Sequence, residues 1–340
     1  MAPKAASTCA KNASGRTGPA TATTVLVPIG GWLRTFAAAQ AKVEADVGLS
    51  LTSTSPAPLV RKTSKPTTVR PSCVATERGS ATVSTTRAIC SRRMRRPPAM
   101  ESSSVRSASA EATVAKFGFT REEQDAYAIE SVTRAQAAQT SGAFDGEIVP
   151  VKVATRKGEV EVASDEQPGK SDVAKIPTLK PAFKKDGSVT AASSSSISDG
   201  AAATVLLSAD EATKRGLQPL AKIVGHATYS QAPEWFTTAP VAAIDKLLKQ
   251  VGWTVDQVDL FEVNEAFAVV AMAPIKELGI PHDKLNVHGG ACALGHPIGA
   301  SGARLVVTLV NALKRRGGKR GVAALCIGGG EATALAIELA

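Results

Sequence analysis

The chain is poor in aromatics, cysteine and histidine, and it has no long apolar run. Each shortage closes off a class of function. Aromatic residues make up only 4% of its 340 positions. No apolar stretch approaches the roughly 18 residues that a membrane-spanning helix needs. The longest, around 266–275, carries Pro274 and reads as a core helix. The five cysteines are Cys9, Cys73, Cys90, Cys292 and Cys326. They form no Cys-x-x-Cys pair and show no zinc-like spacing with the four histidines, so no metal site is expected. An odd cysteine count with no secretory signal fits a reducing compartment, and a cytoplasmic location is the expectation.

What the chain has in excess is positive charge, +10 overall, but its distribution argues against nucleic acid as a partner. Residues 1–110 hold 16 Lys/Arg and 4 Asp/Glu, which leaves 24 and 26 for residues 111–340. The basic excess therefore belongs to the N-terminal third, which lacks the aromatic interleaving and helical framework of a nucleic-acid module. That third is rich in Ser, Thr, Arg, Pro and Ala. Stretches such as Ser91-Arg92-Arg93-Met94-Arg95-Arg96 could not bury a helix or strand face. Its one globular-looking fragment spans 24–47 and includes Val25-Leu26-Val27-Pro28-Ile29-Gly30-Gly31.

Patterning becomes regular near Glu111. A capping box, Thr120-Arg121-Glu122-Glu123, predicts a helix to about Gln139. Two strands are expected at 147–153 and 159–163, then a strand at 204–207 and a second capping box at Ser208-Ala209-Asp210-Glu211. From Leu220 strand and helix alternate: strand 221–227, helix 241–251, strand 259–263, a helix capped by Asn264, helix 301–316 closed by Gly317-Gly318, and strands 322–327 and 333–338. This order predicts an α/β layered fold.

Chemistry concentrates near the C-terminus. His296 sits in Gly295-His296-Pro297-Ile298-Gly299-Ala300-Ser301-Gly302, and Cys326 opens Cys326-Ile327-Gly328-Gly329-Gly330. An imidazole on a glycine-lined turn, with a thiol at the head of a glycine run, points to acid/base work beside a backbone oxyanion cradle.

These motifs fall in order with Val263-Asn264-Glu265-Ala266-Phe267, with Ile197-Ser198-Asp199-Gly200-Ala201-Ala202 and with Leu179-Lys180-Pro181-Ala182-Phe183. Together with Arg304, they make the chain resemble the thiolase family of acyl-CoA acyltransferases from about residue 111 to 340. The resemblance implies a duplicated α/β fold with alternating layers and an incomplete first half. Residues 111–219 would be the remainder of that half with its loop domain, and 220–340 the C-terminal domain.

It further implies Claisen condensation of two acyl-CoA molecules, or thiolysis of a 3-ketoacyl-CoA, as part of lipid metabolism. Coenzyme A thioesters would be the substrates, no cofactor would be tightly bound, and the assembly would be a homodimer or homotetramer. By the same resemblance His296 activates the nucleophilic thiol and helps hold the substrate oxygen. Cys326 is the acid/base thiol for the α-proton, Gly328 an oxyanion-hole N–H donor, and Asn264 the amide that positions a water in the other oxyanion site. Ser195 would touch the pantetheine arm and Phe183 would line the CoA pocket. Phe267 serves core packing or substrate contact. Cys292 is structural, and His288 stands where many relatives carry Asn.

The family's nucleophile lies in a Cys-Gly-Ser-Gly or Cys-Ser-Ser-Gly turn entering a buried helix. Cys9, Cys73 and Cys90 precede Ala-Lys-Asn, Val-Ala-Thr and Ser-Arg-Arg, so none has that setting. No nucleophile is assigned. Residues 50–109 have the Arg/Ser/Pro/Ala bias of GC-rich coding DNA read out of register, and a displaced reading frame is the expectation for this stretch. A transit or regulatory tail and a diverged CoA-binding paralogue that condenses nothing are the alternatives.

Overall fold

The computed structural model describes residues 24–29, 82–85 and 99–340; Cys9, Cys73, Cys90 and residues 30–33 lie outside the described residues. A long helix, α1 (Ala99–Phe117), crosses the compositional change at Glu111, whose carboxylate accepts the backbone N–H groups of Ser188 and Val189. Helix α2 (Arg121–Thr140) starts at the expected capping box: Thr120 accepts from the Glu123 N–H while the Glu123 carboxylate accepts from the Thr120 N–H.

The hairpin that follows, β3 (Val151–Thr155) and β4 (Gly158–Val162), begins four residues later than the 147–153 pattern indicates. Glu147 is the reason. It is buried and accepts from Thr308 Oγ1 (3.1 Å) and Asn311 Nδ2 (3.4 Å), so this stretch is held by side chains rather than by a ladder. The second capping box is half formed. Ser208 accepts from the Glu211 N–H, but the Glu211 carboxylate turns to Arg215 at 2.6 Å.

The main sheet of the described residues has seven strands in the order β2-β5-β1-β6-β9-β8-β7. These are β1 (Thr24–Ile29), β2 (Thr82–Thr85), β5 (Ala203–Ser208), β6 (Ala221–Ser230), β7 (Leu260–Val263), β8 (Arg320–Ile327) and β9 (Glu331–Leu339). Strands β7 and β8 run parallel, with Val263 opposite Ala324, so their C-terminal ends open on the same side. Strand β7 starts one residue later than the 259–263 expectation, because the Asp259 carboxylate is spent on the Lys319 and Arg320 N–H groups.

Strand periodicity of two sends alternate residues to opposite layers. Phe261, Val263, Val322 and Ala324 pack with Ile244 and Leu247 of α4 (Ala239–Val251) and Val270 of α5 (Ala268–Leu278). Leu260, Ala323 and Ile337 pack with Leu305, Leu309 and Leu313 of α7 (Ser301–Arg316). Each fully buried Leu or Ile contributes roughly 1.5–3 kcal/mol by leaving water. Helices on both faces of the sheet make this the expected α/β layered architecture, and Gly317 in the left-handed region ends α7 as the sequence indicates. No helix of the described residues is long and apolar enough to cross a membrane.

Candidate active site at the ends of β7 and β8

Asn264 does not cap α5, contrary to the sequence expectation. The N-cap position belongs to Phe267, whose extended backbone pairs with Ser194 of a Ser-rich segment. Ala268 N donates to Ser193 O (2.9 Å), Ser195 N to Ala266 O (3.2 Å) and Ser195 Oγ to Ala266 O (3.0 Å). The Asn264 backbone N–H donates to Ala324 O at 2.9 Å, which ties it to β8. Released from capping, its amide Nδ2 lies 3.3 Å from His296 Nε2. Its Oδ1 is buried with no protein partner among the described residues, leaving an acceptor for a ligand or a water.

Neighbouring Glu265 anchors this segment. Its buried carboxylate accepts from Tyr127 Oη (2.9 Å), Ser131 Oγ (2.8 Å), Asn286 Nδ2 (2.8 Å) and Cys292 N (3.0 Å). Four donors satisfy a charge that burial would otherwise penalise. They also bind α2 and the 286–292 segment to the site. Burial and the Glu265 charge hold the Cys292 thiol far above its usual range, consistent with a structural role. Burial, with the Arg316 and Arg315 charges, pushes the His288 imidazole down to about 4, and its ring meets Phe144 edge-on.

His296 is placed by Gly295, which adopts φ 79° and carries no Cβ that would collide with Ser198 Oγ. The His296 N–H donates to Ser196 O at 2.8 Å. Its Nδ1 lies 2.5 Å from Ser301 Oγ, at the first turn of α7. In the tautomer with the proton on Nδ1, Ser301 Oγ accepts it while donating to Pro297 O (3.1 Å), and Nε2 accepts from Asn264 Nδ2, the arrangement a base needs.

Cys326 is buried at the end of β8, opposite Ala332, and burial pushes its thiol up to about 12. Such a thiol is protonated at rest, and its thiolate is a correspondingly strong base once formed. In the turn beyond it, Gly330 is the glycine the backbone requires: φ is 101°, and a Cβ would collide with Gln231 O. Gly328 is different. A side chain there would meet nothing within 4 Å, so its backbone faces open space. Phe183, half exposed, stands edge-on to buried Phe267 with ring centroids 6.1 Å apart.

The fold thus brings Asn264 and His296 into contact and sets Cys326 and Gly328 on the adjoining strand end. Ser195 and Phe183 flank the 264–267 run. Ser301 and Glu265 escaped the sequence reading. The signals were a serine five residues after His296 at a helix start, and a carboxylate beside Asn264 in an otherwise apolar run.

Two family models match this chain. The model described as thiolase, C-terminal domain, covers residues 217–339, and that described as thiolase, N-terminal domain, covers 98–210. The chain belongs to the thiolase family. It is 54% identical over 226 residues to acetyl-CoA acetyltransferase 1 of Arabidopsis thaliana, covering 66% of this chain and 54% of that protein. Among solved structures, the acetyl-CoA acetyltransferase of Bacillus anthracis aligns with a TM-score of 0.67 at 46% identity, covering 68% of this chain and 59% of the other. A thiolase of Ascaris suum in complex with coenzyme A aligns with a TM-score of 0.64 at 48% identity, covering 68% and 59%. The match therefore spans little more than half the length of each relative.

Proposed function

We propose that this thiolase-family chain is an acyl-CoA C-acyltransferase of the acetyl-CoA acetyltransferase kind, acting on coenzyme A thioesters. The observation that carries the reading is the hydrogen-bonded pair of Asn264 and His296 at the end of β7, next to the strand whose end carries the buried Cys326 thiol. His296 Nε2 would take the proton of an attacking thiol. The resulting imidazolium would then present Nε2–H to the oxygen of the reacting thioester, with Asn264 supporting it. Cys326 would exchange the α-proton of the second acyl group, and the Gly328 N–H would face the oxyanion of the acyl-enzyme. Ser195, Phe183 and Phe267 would border the pantetheine arm. The bound coenzyme A of the Ascaris suum relative supports this ligand class. Cytoplasmic location, assembly as a homodimer or homotetramer, and a division at about residues 110 and 219 belong to the same reading.

A second reading has its own observation. The free cysteines of the described residues are Cys292 and Cys326, and burial holds both thiols above their usual range. Neither is a ready nucleophile. A CoA-binding protein without turnover follows if no other thiol serves. Thiolysis of acetoacetyl-CoA by CoA, with calorimetric titration of CoA, separates the two. The enzyme reading expects turnover that falls by about 10²–10⁴-fold in His296→Ala and Cys326→Ala, with CoA binding retained. Binding without turnover in the wild type supports the second reading, and absence of both overturns each.

A further inference from the structure

The 3.3 Å between Asn264 Nδ2 and His296 Nε2 is a tertiary distance, because the two residues belong to different elements. The His296 ring is tethered to the first turn of α7 through Ser301, and Asn264 continues β7. Whatever holds β7 against α7 therefore sets that distance. Two residues back from Asn264, on the same face of the strand, is Glu262. Three residues on from Ser301, one turn down the helix, is Arg304. Arg304 Nη1 lies 3.4 Å from Glu262 Oε2, with side-chain exposures of 3% and 1%. Among the described residues this is the one ion pair buried on both sides. The Glu262–Arg304 contact joins β7 to α7 directly, and the Asn264–His296 contact joins the residue after β7 to a ring tethered to α7 through Ser301.

We propose that Glu262 and Arg304 are positioning residues that set the separation of the Asn264 amide from the His296 imidazole, acting through β7 and α7 without touching substrate. Its catalytic meaning rests on the function proposed above, but its geometry does not. Surrounding apolar contacts, such as Leu260 with Leu309, hold strand and helix together without direction. A buried charge pair adds a directional link, because each partner is costly to leave unpaired.

Long-range ¹H–¹⁵N spectra of the histidine side chains test this, with the His296 signals assigned from His296→Gln. Asn264→Ala calibrates the loss of the contact itself. Arg304→Lys keeps the charge but shortens its reach. The Glu262→Leu/Arg304→Met double variant replaces the pair by apolar groups and avoids an orphaned charge. The expected result is a His296 Nε2 shift and titration midpoint moved toward those of Asn264→Ala in either variant, with cooperative melting retained. Glu262→Gln, which keeps an acceptor for Arg304, stays near wild type. A folded Arg304→Lys protein with an unchanged His296 spectrum overturns the proposal, whether or not the double variant folds. Where thiolysis is measurable, kcat falls by about 10–100-fold with KM within about twofold. A wild type without turnover sinks the enzyme reading while the spectra still decide the positioning role.

Discussion

At the scale of single residues, the glycine run after Cys326 divides into two jobs. Gly330 serves the backbone: its φ of 101° and the nearness of Gln231 O exclude a side chain. Gly328 serves the space in front of it, where a methyl group would meet nothing. Gly330→Ala is therefore expected to cost about 1–3 kcal/mol, a fall of several degrees in thermal melting. Gly328→Ala should melt with the wild type. Equal melting of the two variants would contradict this division. The same scale explains His296. Its proposed role as a base requires one tautomer, in which Nδ1–H donates to Ser301 Oγ while that hydroxyl donates to Pro297 O.

At the scale of elements, α7 carries both the site and a buried acidic cluster. Glu147 enters from the chain after α2, Glu262 from β7, and the Arg304 charge acts on both. Burial pushes Glu147 up to about 7 and Glu262 to about 8, while Arg304 pulls both down. One guanidinium offsets one carboxylate, so ionising both in this buried setting is costly. Both folded-state values lie above the ordinary 4.5, so the folded chain binds protons that the unfolded chain has released. Stability should then fall as pH rises from about 4.5 to about 8. Glu147→Gln is expected to flatten that fall and to raise the melting temperature at pH 8 more than at pH 5. Parallel melting curves for variant and wild type across this range would refute the assignment.

At the scale of the whole molecule, four of the six large apolar side chains exposed among the described residues belong to segments that border the site: Ile197 (84%), Ile298 (55%), Ile327 (48%) and Phe183 (45%). Ile197 bridges to His296, Ile298 follows it by two residues, and Ile327 follows Cys326 directly. The family match begins at residue 98, inside the stretch 50–109 for which a displaced reading frame is expected. If that stretch comes from a displaced reading frame, another frame of the encoding DNA should yield apolar strands and a Cys-Ser-Gly-type turn. Translation of all three frames decides this, and their absence from every frame removes the explanation.

Local order and chemistry were legible in the sequence because they depend on near neighbours. The Thr120 capping box, the apolar face of α4, the Gly317 stop and the glycine-flanked His296 all act within a few residues of chain. The order of the motifs carried the family as well. Tertiary structure alone decided what each long-range partner would be. It took Asn264 from its capping role and gave its amide to His296, since the Ser193–Ser195 segment pairs with residues 266–268 and holds the helix start back to Ala268. It took Glu147 out of a strand and placed it against α7. In each case a polar group had a local partner available and found a better one far along the chain. Burial makes such a choice decisive, because a polar group removed from water must be satisfied wherever the fold brings a partner within reach.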